Sequence, residues 1–324
     1  MNESPIGVVG LGLLGRGIVA SLLARRRPVI AVARDREEHA AAVPILERML
    51  DELVDRDEFS PSDLATWHER LTQATTVEPL RDVSFVIESV TEDFAIKQGV
   101  FDELERVVRP DAVIASNTSA IPISVLQQTR RHPERFVGMH WAEPAHATRF
   151  LEIIRGEATS DETIARTADL ARQLGKDPTV CRKDIPGFVV NRIAYAIYRE
   201  AMHLVEEGVA DFETIDRSLR NTLGLWAASC GPFRWIDLTG GPELYAKAME
   251  RVLPTLSASP TVPRPIASLA ADGKRGIING QGFYDYTAAD VHEWEERQRR
   301  YVWQTKEWLD AEFPIGAEPS PPSP

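Results

Sequence analysis

With 324 residues, 43% of them hydrophobic, the chain is long enough to bury two ordinary cores, and two domains are expected. A net charge of −12 without a long basic run argues against a nucleic-acid groove or an anionic membrane surface and leaves a small molecule as the expected partner. No apolar run approaches the ~20 residues that span a bilayer and no basic-then-apolar leader opens the chain, so it reads as cytoplasmic. Cys181 and Cys230 are too few for a disulfide framework, lack metal-ligand spacing and read as two buried thiols.

Short β-branched runs at Ile6–Val9, Val29–Val32, Phe85–Ile87, Val113–Ala115, Phe136–Met139 and Leu151–Ile154 alternate with helical stretches, the pattern of parallel strands joined by crossover helices. After the first strand comes Gly10-Leu11-Gly12-Leu13-Leu14-Gly15, a GxGxxG turn ahead of a helix whose inner face offers Ile18, Leu22 and Leu23. Such glycines serve a tight turn, close approach to a pyrophosphate and close helix–strand packing, and the helix start offers N–H groups to phosphates. Gly10, Gly12, Leu13, Leu14 and Gly15 are therefore expected along a dinucleotide. The second strand runs into Ala33-Arg34-Asp35-Arg36. With Ala33 at the strand end, where an acid would hold the ribose of NAD, Arg34, and with it Arg36, is expected to be free for a 2′-phosphate, which favours NADP. Asp35 keeps NAD open.

Three later segments carry chemistry: Ser116-Asn117-Thr118-Ser119, His140 through Glu152, and Asp184 through Arg192. From Pro186 the spacing turns helical. Ile193, Ile197 and Leu204 share a face, Gly208 can stop that helix, and Asp211 can cap the next, which carries Ile215 and Leu219. Gly280-Gln281-Gly282 reads as a closing turn, Val291 to Phe313 as a last helix, and Pro314 to Pro324 as a disordered tail. On that helix Trp294, Tyr301 and Trp308 recur every seven residues, a stripe that calls for burial on its own subunit or on another.

Taken in order, these motifs resemble the 3-hydroxyacyl-CoA dehydrogenase family from Gly10 to Tyr286. Around 199–208 and 223–233, and in the extra C-terminal helix, the chain is similar to the branch of λ-crystallin, L-gulonate dehydrogenase and carnitine dehydrogenase. The resemblance implies a Rossmann-type doubly wound α/β sheet over 1–184, an all-α substrate and dimerisation domain over 185–287, and a C-terminal helix and tail over 288–324. It implies a homodimer, with the active site between domains. It maps a catalytic acid–base histidine onto His140 and its carboxylate onto Glu152, twelve residues on. Ser119 and Asn191 match residues that hydrogen-bond the substrate oxygen, and Glu92, Lys97 and Asn117 match cofactor contacts.

The departures concern substrate. Glu143 stands where the family usually has Asn, which points to a hydroxyl-rich or cationic substrate. Residues 45–60 hold Glu47, Asp51, Glu52, Asp55, Asp57 and Glu58 and no lysine, where the acyl-CoA enzymes place lysines for CoA phosphates. Trp226 stands where the small-acid branch often has arginine, as an apolar or cation-binding wall or as core packing. The leading expectation is an NADP- or NAD-dependent dehydrogenase of a free 3-hydroxy acid. A dehydrogenase of CoA thioesters, a reductase of a keto or imine group, and a non-catalytic dinucleotide-binding protein remain alternatives.

Overall fold

The computed structural model describes Ser4 to Gly316. Of the expected tail, residues 317–324 lie outside the described residues. Two compact units divide the chain, one formed by residues up to Val189 together with those from Val302 on, the other by Val190–Tyr301.

The first unit is built on strands β1 (Ile6–Val9), β2 (Val29–Val32), β3 (Leu71–Ala74), β4 (Phe85–Glu88), β5 (Val113–Ser116), β6 (Phe136–Trp141), β7 (Phe150–Ile154) and β8 (Asp177–Cys181) in one sheet of order β3-β2-β1-β4-β5-β6-β7-β8. Strands β1 to β6 are parallel, and β7 pairs antiparallel to β6. Around the sheet lie α1 (Leu13–Ala24), α2 (Arg36–Val54), the one-turn α3 (Pro61–Leu64), α4 (Phe94–Val107), α5 (Ile123–Gln127) and α6 (Asp161–Gln173). Because alternate strand residues point to opposite faces, Val8 and Ile87 join α1 and α2 residues such as Ile18, Leu22, Leu46 and Leu50 in one core. Val9 and Val86 join Phe101 and Leu104 of α4 in the other. This is the doubly wound architecture expected. The strand order reverses between β1 and β4, and the carboxyl edge at that point is where such sheets bind ligands.

The second unit is helical: α7 (Val190–Glu206), α8 (Phe212–Asn221), α9 (Leu223–Ser229), α10 (Gly231–Leu238), α11 (Gly241–Val252), α12 (Arg264–Ala271) and the first part of α13 (Ala288–Glu312). The local signals act as the sequence suggests. Gly208 takes a left-handed φ of 69° after α7, and the Asp211 carboxylate caps α8 by accepting from Thr214 N–H at 2.8 Å.

The aromatic stripe is not buried on its own chain. Trp294, Tyr301 and Trp308 are 48%, 53% and 39% exposed, and the one tryptophan of α13 that enters the core is Trp303. Its indole N–H donates to Glu52 of α2, while Lys306 donates to Glu58 and Glu307 pairs with Arg56 at 3.0 Å. Of the two thiols, Cys181 is buried and Cys230 only half-buried, which corrects the second assignment. No described helix is long and apolar enough to cross a membrane.

Candidate active site

The glycine turn begins where β1 and β4 end side by side. Gly10 sits at φ 99°, and a Cβ there would lie 2.6 Å from the carbonyl oxygen of Ser89; a Cβ on Gly15 would lie 2.0 Å from that of Gly10. Both positions therefore need glycine. Gly12 differs, for a Cβ on it meets nothing within 4 Å and it precedes α1 without a side-chain cap. Open space in front of an uncapped helix start suits a pyrophosphate. Leu13 is exposed and Leu14 half-buried beside it.

At the end of β2 the structure corrects the expectation of a free Arg34. The Glu38 carboxylate accepts from Arg34 N–H at 2.9 Å and lies 3.6 Å from its guanidinium. Asp35 is occupied as the N-cap of α2, accepting from Glu38 N–H at 2.8 Å.

Behind the turn lies a buried ionic knot. Glu88, the last residue of β4, accepts from Lys97 Nζ at 2.8 Å, Ser116 Oγ at 2.6 Å and Val90 N–H at 2.7 Å. Lys97 also faces Glu92 at 3.4 Å and has no exposed surface. Its ammonium is held between Glu88 and Glu92. Glu92 Oε1 in turn accepts from Thr118 Oγ1 at 2.6 Å and from the N–H groups of Ser119 and Ala120 at 2.9 and 3.0 Å, which fixes the Ser119 loop. Burial opposes charge on Glu92, but the Thr118 hydroxyl, the Lys97 ammonium and those backbone donors prevail and hold its carboxyl below the usual range. Asn117 braces the same edge. Its Oδ1 accepts from Trp141 N–H and its Nδ2 donates to Ser89 Oγ, both at 3.0 Å, so its amide ties the ends of β4, β5 and β6.

His140 and Glu152 are register partners across the antiparallel ladder of β6 and β7, which explains their spacing in sequence. Opposite residues in such a pair share a face, and His140 Nδ1 meets Glu152 Oε2 at 2.9 Å. The other carboxylate oxygen accepts from Val189 N–H at 3.2 Å. Both side chains are buried, with Phe150 and Phe188 edge-on to the imidazole at 5.7 and 5.6 Å. Phe188 holds a left-handed φ of 53° just after Gly187 at 76°. That conformation, costing about 1 kcal/mol for a non-glycine residue, accompanies both the ring contact and the Val189 hydrogen bond. The negative Glu152, after burial itself, helps push the Cys181 thiol up to about 11, so this thiol is no nucleophile.

Between the two strands, residues 142–149 form a loop pinned from below. Lys176, buried, donates to the carbonyls of Ala145 and Thr148, and His146 Nε2 lies 3.2 Å from Glu52. Glu143 is the exposed member. Loss of water around its carboxyl raises its pKa against the opposing pull of His146, the Ala145 N–H and Arg16. Of the remaining candidates, Asn191 opens α7 and Trp226 lies on α9, both in the second unit, where Trp226 stacks on Trp235 at 6.2 Å. Reading the sequence missed Glu88, Phe188 and Trp303. An acid ending an apolar strand, and a phenylalanine after Pro-Gly, were the available signals for the first two.

Comparison with known proteins gives this arrangement its relatives. The model of the 3-hydroxyacyl-CoA dehydrogenase NAD-binding domain matches residues 5–185, and that of the family's C-terminal domain matches 187–286. A Mesorhizobium japonicum 5-formyl-3-hydroxy-2-methylpyridine 4-carboxylate 5-dehydrogenase is 34% identical over 92% of this chain and 96% of its own length. The fatty acid oxidation complex subunit alpha of Acinetobacter baumannii is also 34% identical, over 86% of this chain, which spans only 38% of that protein. Among solved structures, a 5-formyl-3-hydroxy-2-methylpyridine 4-carboxylic acid 5-dehydrogenase, described as an NAD+ dependent dismutase, superposes with a TM-score of 0.88 at 31% identity, covering 95% of this chain and 98% of that one. The (S)-3-hydroxybutyryl-CoA dehydrogenase of Ralstonia eutropha gives 0.72 at 32%, covering 88% and 99%. With both domain models matched in order along nearly its whole length, the chain belongs to the 3-hydroxyacyl-CoA dehydrogenase family of NAD-dependent oxidoreductases.

Proposed function

We propose that the chain oxidises a small free acid at a hydroxyl-bearing carbon, with His140 as the acid–base group. The cross-strand pair carries this reading. Glu152 accepts from Nδ1–H, which assigns the proton to that nitrogen and leaves Nε2 for the substrate hydroxyl. When the substrate carbon gives up its hydride, Nε2 takes the hydroxyl proton and Glu152 stabilises the imidazolium; in reverse, the imidazolium returns the proton to the carbonyl oxygen. Bound nicotinamide supplies the hydride acceptor. Ser119 and Asn191 are the proposed partners of the substrate oxygen.

A free acid rather than a thioester is favoured by what lies on the acidic stretch from 45 to 60. In place of lysines for CoA phosphates, Glu52, Arg56 and Glu58 hold the end of α13. The family's C-terminal model stops at residue 286, before that helix begins. The pyridine-carboxylate dehydrogenase, named for a compound that carries a formyl and a carboxylate group, is similar over a greater share of the chain than the Ralstonia hydroxybutyryl-CoA enzyme. A hydrated aldehyde presents the same H–C–O–H unit as an alcohol, so both fall within the proposed class. Measuring NADH formation with 3-hydroxybutyrate, 3-hydroxybutyryl-CoA and 5-formyl-3-hydroxy-2-methylpyridine 4-carboxylate tests this. Turnover of at least one free acid, above that of the thioester, is expected. Preference for the thioester overturns the substrate class, and silence with all three despite NADH binding favours a non-catalytic chain.

A homodimer through the helical unit is part of the proposal. None of the residues of α7 to α12 is buried in the single chain, and Leu225, Phe233, Leu238 and Leu244 are largely exposed together with the stripe of α13. Apolar surface on this scale marks an association face. Sedimentation at micromolar concentration should report twice the chain mass, and a monomer there would refute the assignment.

A further inference from the structure

The end of β2 has no acid of its own, and the turn after it contains three carboxylates with different duties. Ala33 is buried and its N–H donates to Ala74 O at 3.0 Å, which fixes the strand end. Asp35 is consumed by capping and Glu37 is exposed. Glu38 alone turns back to the strand end, Oε2 accepting from Arg34 N–H while Oε1 makes no hydrogen bond among the described residues. Its side chain is 21% exposed, against 83% for Arg34. The Asp35–Glu38 arrangement is a variant of the capping box, in which a carboxylate at the third helical position reaches back. Here that geometry anchors a negative charge beside the turn that follows β2.

From this geometry we infer that Glu38 selects NAD over NADP. Its second oxygen accepts a hydroxyl of the adenosine ribose in place of the missing strand-end acid, its charge repels a 2′-phosphate, and it pairs with Arg34, the nearer of the two arginines, Arg34 and Arg36, that would otherwise attract that phosphate. An exposed pair of this kind is worth at most about 1 kcal/mol, so Arg34 is released when the carboxylate is neutralised. The inference rests on the NAD reading and deepens it.

Titration calorimetry with NADH and with NADPH, without any substrate, provides the test. The wild type should bind NADH more tightly. Glu38→Gln retains an acceptor for Arg34 N–H, and so the cap, but should shrink that preference by about tenfold or more, equivalent to about 1.4 kcal/mol. Adding Arg34→Ala should remove the gain in NADPH affinity, and Glu37→Gln should leave the ratio unchanged. A wild type that prefers NADPH overturns the NAD reading and this inference together. A wild type that prefers NADH with a ratio indifferent to Glu38→Gln overturns only the role of Glu38, leaving it a helix cap.

Discussion

His140→Gln should lower kcat on the best free-acid substrate by about 10³–10⁴-fold, and Glu152→Gln by about 10²-fold, with the dissociation constant of NADH nearly unchanged in both. A glutamine at 140 cannot take up the hydroxyl proton, so the alkoxide must form unaided as hydride leaves. At position 152 the amide preserves shape and can still meet Nδ1 and Val189 N–H, but it no longer carries the charge that stabilises an imidazolium. The asymmetry between the two variants is the informative feature: loss of the base removes the step, whereas loss of its partner weakens it. Single-turnover hydride transfer followed at 340 nm, beside NADH titration, separates chemistry from binding. Retention of more than a tenth of the activity in His140→Gln would refute the acid–base assignment.

What could be seen in the sequence follows from where each segment sits in the sheet. The interior strands β1, β2, β4, β5 and β6 are buried on both faces and read as apolar runs. Strands β3 and β8 lie at the edges, half in water, and their Leu71-Thr72-Gln73-Ala74 and Asp177-Pro178-Thr179-Val180-Cys181 carry no such run. The glycine turn was legible because its spacing is a steric requirement, met here by Ser89 and Gly10 carbonyls that would collide with a Cβ. The His140–Glu152 pair was found by resemblance, and only the antiparallel register gives its spacing a cause. Side-chain direction was not legible. Lys97 and Asn117 do stand at the carboxyl edge, as expected, but point into the protein, toward Glu88 and Trp141. For the same reason a seven-residue aromatic stripe drew notice on α13, while Trp303, outside that stripe, is the ring that reaches the core. Periodicity ranks faces of a helix by apolarity, but the acceptor on Glu52 decides which indole is drawn in.

Lys97→Met should destabilise the first unit by about 3–5 kcal/mol, the cost of leaving a buried carboxylate without its counter-ion. Glu88 has no exposed surface, and after the substitution it keeps only the Ser116 hydroxyl and Val90 N–H against a full negative charge. Methionine fills nearly the same volume, so the loss is electrostatic rather than a cavity. The double variant Lys97→Met/Glu88→Gln removes the charge together with its partner and should recover about half of that loss or more, since replacing both members of a buried pair is far less costly than replacing one. Urea unfolding of the single and double variants measures the coupling directly. NADH affinity is the second readout. Because Lys97 also holds Glu92, and Glu92 holds the N–H groups of Ser119 and Ala120, the single variant should also loosen the loop of Ser119. A Lys97 that also touched the cofactor would add a sharp fall in NADH affinity to that loss of stability.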